Sequence, residues 1–275
     1  MTAAPLLHHR IDGSGARVVL LHPVGLDLTC FDLLAEILAR HFAVLRLDLR
    51  GHGGSPFVEP VESLETYADD VHRLLCHLSF GPAAVIGFSF GGMLAQALAL
   101  SYPADVSALV ISACASTLAD EGRRILAERG AAAERLGMVA VLDATMQRWF
   151  SQPFRDSGRD RPVRDRLTAM DPRSWAAAWR AMSAVETLPN LPAIGVPTLC
   201  LAGGVDVSAP PDTVRVIAKS INGARFEVVP DAPHMLFIEH HQAVATIVKD
   251  FLVAVLEGDV RDERSNTITT KINCN

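Results

Sequence analysis

The stretch Ala83-Ala84-Val85-Ile86-Gly87-Phe88-Ser89-Phe90-Gly91-Gly92-Met93-Leu94-Ala95-Gln96-Ala97-Leu98-Ala99 decides the architecture of this 275-residue chain. Ala83 to Ile86 is an apolar run of strand length, and Met93 to Tyr102 is rich in the helix formers Ala and Leu. Between them, Gly87-Phe88-Ser89-Phe90-Gly91 matches G-x-S-x-G. A chain that turns sharply from strand into helix crowds its own backbone on both sides of the central serine. Only residues without Cβ fit there. The turn would hold Ser89 in a strained conformation with its hydroxyl above the sheet. The helix beginning at Phe90 would aim backbone N–H groups at whatever binds in front of it. No charged residue occurs from Leu78 to Ala104, long enough to suit a membrane helix. Gly81-Pro82, the glycines from Gly87 to Gly92, Gln96 and Pro103 interrupt that run. A buried strand, a tight turn and a buried helix at the centre of a sheet account for it better.

Outward from this unit the same rhythm repeats. Val18 to Leu21, Phe42 to Leu47, Val106 to Ile111, Thr198 to Ala202 and Arg225 to Val229 read as further strands. Helical spacing occupies Phe31 to Arg40, Leu64 to Leu78, Val214 to Ile221 and Val244 to Leu256. Such alternation predicts an α/β fold, with a mostly parallel twisted sheet and helices on both faces. A hairpin from Leu6 to Leu21 across Asp12-Gly13-Ser14-Gly15 is expected to add an antiparallel strand. The rhythm breaks over 116–191, where no strand-like run occurs and all three tryptophans fall. That segment carries 12 arginines against 10 acidic residues, which leaves a balance of −8 on the remainder of a chain whose net charge is −6. The opposite charge balance and the tryptophans suggest a helical lid inserted into a core formed by 1–115 and 192–257. A helical subdomain packed only for stability is the competing reading. Residues 258–275 turn polar and are expected to form a flexible tail.

Composition bounds the partners. At 49% hydrophobic and 20% charged residues the chain is globular rather than disordered, and its length suits one large domain with an insertion. A net charge of −6 without a basic run argues against nucleic acid. Five scattered cysteines (Cys30, Cys76, Cys114, Cys200, Cys274) form no C-x-x-C pair, and no signal-peptide pattern opens the chain. A cytoplasmic protein with neither disulfide framework nor zinc site is the expectation, and no membrane partner is expected. Homo-oligomerisation stays open.

A serine hydroxyl is a weak nucleophile at neutral pH. It needs a base, which in turn needs an orienting carboxylate. In this arrangement the chain order is Ser, acid, His. Asp206 follows the strand Thr198 to Ala202 through Gly203-Gly204-Val205, and His234 follows Arg225 to Val229 through Pro230-Asp231-Ala232-Pro233. Both would stand at the carboxyl edge of the sheet with Ser89. Asp231 lies too near the histidine along its loop, Asp212 reads as a helix cap, and Asp120 is a second possible acid. His22 and His52 sit in turns that they would brace. Acyl transfer also needs two donors for the developing oxyanion. Phe90 N–H supplies one. The turn Leu21-His22-Pro23-Val24-Gly25 supplies the other, and since proline has no N–H, Val24 is the candidate.

These residues resemble the α/β-hydrolase superfamily over most of the chain. The carriers are His22-Pro23-Val24-Gly25, Asp48-Leu49-Arg50-Gly51-His52-Gly53-Gly54-Ser55, Gly87-Phe88-Ser89-Phe90-Gly91-Gly92-Met93, Gly203-Gly204-Val205-Asp206 and Pro233-His234. The superfamily usually has His-Gly where this chain has His22-Pro23. Within it, Val24 to Asp32, Arg148-Trp149-Phe150, Asp171-Pro172 and Ala181-Met182-Ser183-Ala184 are similar to 3-oxoadipate enol-lactonases. The resemblance implies the α/β-hydrolase fold and a serine hydrolase acting on a small ester or lactone without metal or cofactor. It further implies a carboxylate-bearing enol-lactone as substrate, with Trp149 and Phe150 as lid contacts. An arginine pointing inward from the lid would pair with such a carboxylate. Two chemistries share the same scaffold and triad: carbon–carbon bond hydrolysis, and acyl exchange with peroxide. A ligand-sensing protein that retains the fold is the rival of another class.

Overall fold

Alternating apolar runs and helical segments fold here into a sheet of seven strands. The computed structural model describes residues 5–59 and 63–256, so the expected tail at 258–275 lies outside the described residues. In chain order the elements begin with β1 (His9–Asp12), β2 (Ala16–Leu21), α1 (Asp32–Leu38), β3 (Phe42–Leu47), α2 (Leu64–Leu78), β4 (Ala83–Phe88), α3 (Phe90–Ser101) and β5 (Val106–Ser112). A wholly helical segment follows, with α4 (Asp120–Leu136), α5 (Met138–Trp149), α6 (Gln152–Asp156), α7 (Arg161–Ala169) and α8 (Pro172–Ser183). The sheet then resumes with β6 (Thr198–Gly203), α9 (Pro211–Ser220), β7 (Arg225–Val229), α10 (Leu236–Glu239) and α11 (His241–Leu256).

The strand order is β1-β3-β2-β4-β5-β6-β7, parallel throughout except for β1. Strand order reverses between β3 and β4. Right-handed crossovers therefore send α1 to one face and α2 and α3 to the other, and α11, which follows the last strand, returns to the face of α1. Accordingly α1 packs on α11, while α2 packs on α3. Every residue of β4 is buried, as sandwiching between two helical layers requires. The charge-free run from Leu78 to Ala104 is divided between β4 and α3. Among the described residues no helix is long and apolar enough to cross a membrane.

The expected hairpin does not form. β1 is antiparallel as anticipated, but it pairs with β3, His9 opposite Leu47, because both edges of β2 are taken by β3 and β4. Buried Arg46 of β3 helps to fix this outer strand. Its guanidinium reaches Asp12 at the end of β1 and Asp32 at the start of α1, each at 2.5 Å.

The helical segment leaves and rejoins the sheet at one place. Thr187 N–H donates to Ser116 O at 2.8 Å, and Thr117 bridges Glu186. Gln96, the polar residue inside apolar α3, is the bolt beneath this neck. Its amide nitrogen donates to Gly92 O and Ala115 O, and its amide oxygen accepts from Thr187 Oγ1 at 2.6 Å.

The tightest junction is where α3 crosses β2. A Cβ on Gly91 would lie 2.0 Å from Leu21 O, and one on Gly87 would lie 2.0 Å from Gly91 O. Both clashes are backbone against backbone, so no rotamer relieves them. Gly91→Ala should lower unfolding free energy by about 3 kcal/mol or more in urea denaturation. Gly195→Ala, with open space around its Cα, should stay within about 0.5 kcal/mol.

Candidate active site

Ser89 stands between β4 and α3 with φ 55° and ψ −114°, a backbone state that non-glycine residues rarely occupy. The surroundings hold it there. Ser89 N–H donates to Ser112 O on β5 at 2.8 Å, and Ser89 O accepts from Gly92 and Met93 in the first turn of α3. The side chain has no room to relax into the sheet and projects from its carboxyl edge.

Two loops meet it there. The loop after β6 carries Asp206, and the loop after β7 carries His234. They are joined by Val205 N–H donating to Ala232 O at 3.1 Å and Gly204 N–H donating to Val229 O at 2.9 Å. His234 Nε2 lies 2.9 Å from Ser89 Oγ, and His234 Nδ1 lies 2.8 Å from Asp206 Oδ2. The other carboxylate oxygen, Oδ1, accepts from the N–H groups of Ser208 and Ala209 at 2.7 and 3.0 Å. With its oxygens so occupied, Asp206 presents a lone pair to Nδ1–H. That selects the imidazole tautomer whose Nε2 accepts from the serine. All three side chains are buried. Asp120, Asp212 and Asp231 are exposed instead, Asp212 at the first turn of α9 facing Arg215.

Val24 lines the same cavity as Ser89 and His234, and Phe90 follows the serine directly at the start of α3. Among the described residues neither N–H has a backbone or side-chain acceptor. Both are therefore available to a third oxygen.

The cavity at Ser89 measures about 70 Å³. Its far wall comes from the helical segment: Leu126 and Arg129 of α4, Trp149 of α5, Trp179 and Met182 of α8. The Trp149 ring lies 6.4 Å from the His234 ring, and Trp149 O accepts from Met235 N–H at 3.0 Å, tying α5 to the histidine loop. Phe150 does not share this place. It is the first residue past α5, extended at φ −124° and ψ 150°. It does not line the cavity, and its ring stacks on Phe154 at 5.0 Å. Arg129, Trp179 and Met182 were not singled out from the sequence. The available signal was Arg129 sitting in helical register with Leu126 and Ala133, a charge placed on the buried stripe of α4. Among the described residues no cluster of three or more His, Cys, Asp or Glu side chains could hold a metal ion.

Comparison with known proteins follows the geometry. A family profile described as "Alpha/beta hydrolase family" matches residues 18–247. Pimeloyl-[acyl-carrier protein] methyl ester esterase of Neisseria meningitidis serogroup A is 30% identical over 252 residues, 88% of this chain and 78% of that protein. 3-Oxoadipate enol-lactonase 1 of Acinetobacter baylyi is 26% identical over 242 residues, 86% of this chain and 89% of that protein. Among solved structures, the enol-lactonase from Burkholderia xenovorans superposes with a TM-score of 0.85 at 32% identity, over 90% of this chain and 96% of that one.

Two buried histidines brace the loops behind the site. His22 Nδ1–H donates to Pro23 O at 2.7 Å, and its Nε2 accepts from Leu49 N–H at 2.9 Å. His52 Nδ1–H donates to Arg50 O at 2.9 Å, and the two rings lie 5.1 Å apart. Burial lowers the pKa of His22. Burial first, and the neighbouring His22 second, pull His52 from 6.5 down to about 3. Folded His52 thus stays neutral where an unfolded histidine is protonated. Between about 3 and 6.5 the unfolded chain binds more protons, so stability is lost as pH falls through that window. Urea denaturation should show unfolding free energy rising by up to several kcal/mol, on the order of the pKa shift, across it. His52→Leu should flatten that slope.

Proposed function

This chain belongs to the alpha/beta hydrolase family, and from that membership we propose a serine hydrolase that opens a small ester or lactone through Ser89, His234 and Asp206. The observation that carries the reading is the unbroken hydrogen-bonded path from Ser89 Oγ through the imidazole to Asp206, 2.9 Å and 2.8 Å long in its two links. As the serine oxygen attacks a carbonyl, His234 Nε2 takes its proton, and the carboxylate of Asp206 stabilises the imidazolium that results. The N–H groups of Val24 and Phe90 receive the oxyanion. Collapse expels the alcohol or enol with the proton held by His234. Water then enters, gives its proton to the same nitrogen as its oxygen attacks the acyl carbonyl, and the imidazolium returns that proton to Ser89 Oγ as the acid leaves.

The finer reading is a lactone whose leaving group is an enol, which becomes a ketone once released. Its support is the likeness to enol-lactonases over most of the chain, together with the methyl ester esterase. The same relatives favour ester cleavage over carbon–carbon hydrolysis or peroxide exchange. The helical segment acts in this reading as a lid, because its side chains wall the cavity opposite Ser89. An intact relay with free oxyanion donors favours an enzyme over a ligand sensor.

Ser89→Ala should abolish turnover of aryl esters and small lactones, down to a residue that binding alone supplies. It should also abolish covalent labelling by a fluorophosphonate. Wild-type rates in that variant would overturn the assignment. Asp206→Asn should fold normally and lower kcat by about 10³–10⁴, since an amide no longer selects the productive tautomer.

A further inference from the structure

A second space of about ten times the volume adjoins the cavity at Ser89. This cleft, about 710 Å³ between α4 and α5, shares Arg129, Trp149 and Trp179 with the cavity of about 70 Å³. The rest of the small cavity's wall, with Met93, Cys114, Leu118 and Met182, does not reach the cleft. The cleft's own surface is mostly apolar, from Ile125 of α4 through Val141 and Ala144 of α5 to Trp175 of α8. Its charged groups are already engaged. Glu121 pairs with Arg124 and Glu128 with Arg135. Arg129 lies over the Trp179 ring at 5.4 Å, and Arg148 donates to Val207 O at 3.2 Å. An occupant therefore meets chiefly aliphatic and aromatic surface. Mostly apolar pockets of about 300–1,000 Å³ bury drug-sized ligands, so this cleft exceeds what a small ester fills.

Two contacts fix which end of an ester faces the cleft. The Trp149 ring stands 6.4 Å from the His234 ring, and neighbouring Arg148 bonds the loop that carries Asp206. The cleft thus opens on the imidazole side of Ser89. In a serine mechanism the imidazolium hands its proton to the leaving oxygen, so the leaving group departs along that side. We propose that the α4–α5 cleft receives the leaving group, and that the favoured substrates are esters of a short acid with a bulky apolar or aromatic alcohol. The acyl part then lies in the small cavity, against Met93, Cys114 and Leu118. The proposal rests on the serine-hydrolase reading and goes beyond it by stating which half of the substrate is large.

The test compares two ester series of equal carbon number: acetates of n-alkanols from ethanol to octanol, and methyl esters of n-alkanoic acids from propanoate to nonanoate. Saturated alcohols of these lengths leave with similar basicity, so rate differences report binding rather than intrinsic reactivity. In the acetate series kcat/KM should climb about two- to fourfold per methylene, as burial of each predicts. In the methyl series it should level off or fall beyond butanoate, so that octyl acetate exceeds methyl nonanoate tenfold or more. Ala144 is exposed on α5, and Ala144→Phe, which narrows the cleft, should cut the preference for octyl over ethyl acetate tenfold or more. Binding is read separately from tryptophan fluorescence in a Ser89→Ala background. There octyl acetate should bind tenfold or more tighter than ethyl acetate, and Ala144→Phe should remove most of that difference. Equal slopes in the two series, or a steeper climb in the methyl series, would overturn the assignment of the cleft to the leaving group and leave Ser89 in place. Ester turnover that survives Ser89→Ala would instead overturn the serine reading, and the fluorescence titration would then judge the cleft by itself.

Discussion

The site depends on one close approach, the backbone of Gly91 against the carbonyl of Leu21. That contact sets the height of α3 above β2, and with it two positions that chemistry must hold in register. Ser89 sits at the start of α3, and Val24 follows the end of β2. In the proposed function, serine oxygen and oxyanion donor are thus placed by main chain rather than by flexible side chains, the kind of preorganisation that stabilises charge without reorganisation at the moment of reaction. The unfavourable φ of Ser89 is the cost of this arrangement. Hydrogen bonds to β5 and the first turn of α3 offset it.

Around that frame the structure separates charge by function. The loops after β2 and β3 are braced by histidines that burial keeps neutral. In the proposed function they stiffen the turn that carries Val24 without themselves adding a positive charge beside it. In the helical segment, Arg129 and Arg148 line a cleft whose walls are mostly apolar and aromatic. Among the described residues one imidazole, that of His234, contacts the serine, and the proposed function has it move the proton.

Local physics made much of this legible. Runs of β-branched and apolar residues marked six of the seven strands closely, and the glycine spacing around Ser89 marked the turn. Asp206 and His234 could be chosen because each follows a strand through a short Gly- or Pro-bearing turn. Less was legible where the outcome depended on distant residues. The partner of β1 is decided by which edges of β2 are free, a property of the whole sheet. Trp149 and Phe150 are neighbours with opposite fates, because the helix ends between them and the side-chain direction changes with it. Arg129 could not be told apart in a chain where 22 of the 25 basic residues are arginine. Its burial exists only once α4 lies on α8.

The bond between Ser116 and Thr187 has an evolutionary consequence. With the ends of the helical segment pinned side by side, the sheet feels the same constraint whatever is threaded between them, and closing a longer or shorter excursion changes the entropy only slowly. In the proposed function, selectivity and reactivity are thereby stored in separable pieces of one polypeptide. The piece above the pinned ends can drift, lengthen or be grafted from a relative while the machinery below keeps its alignment.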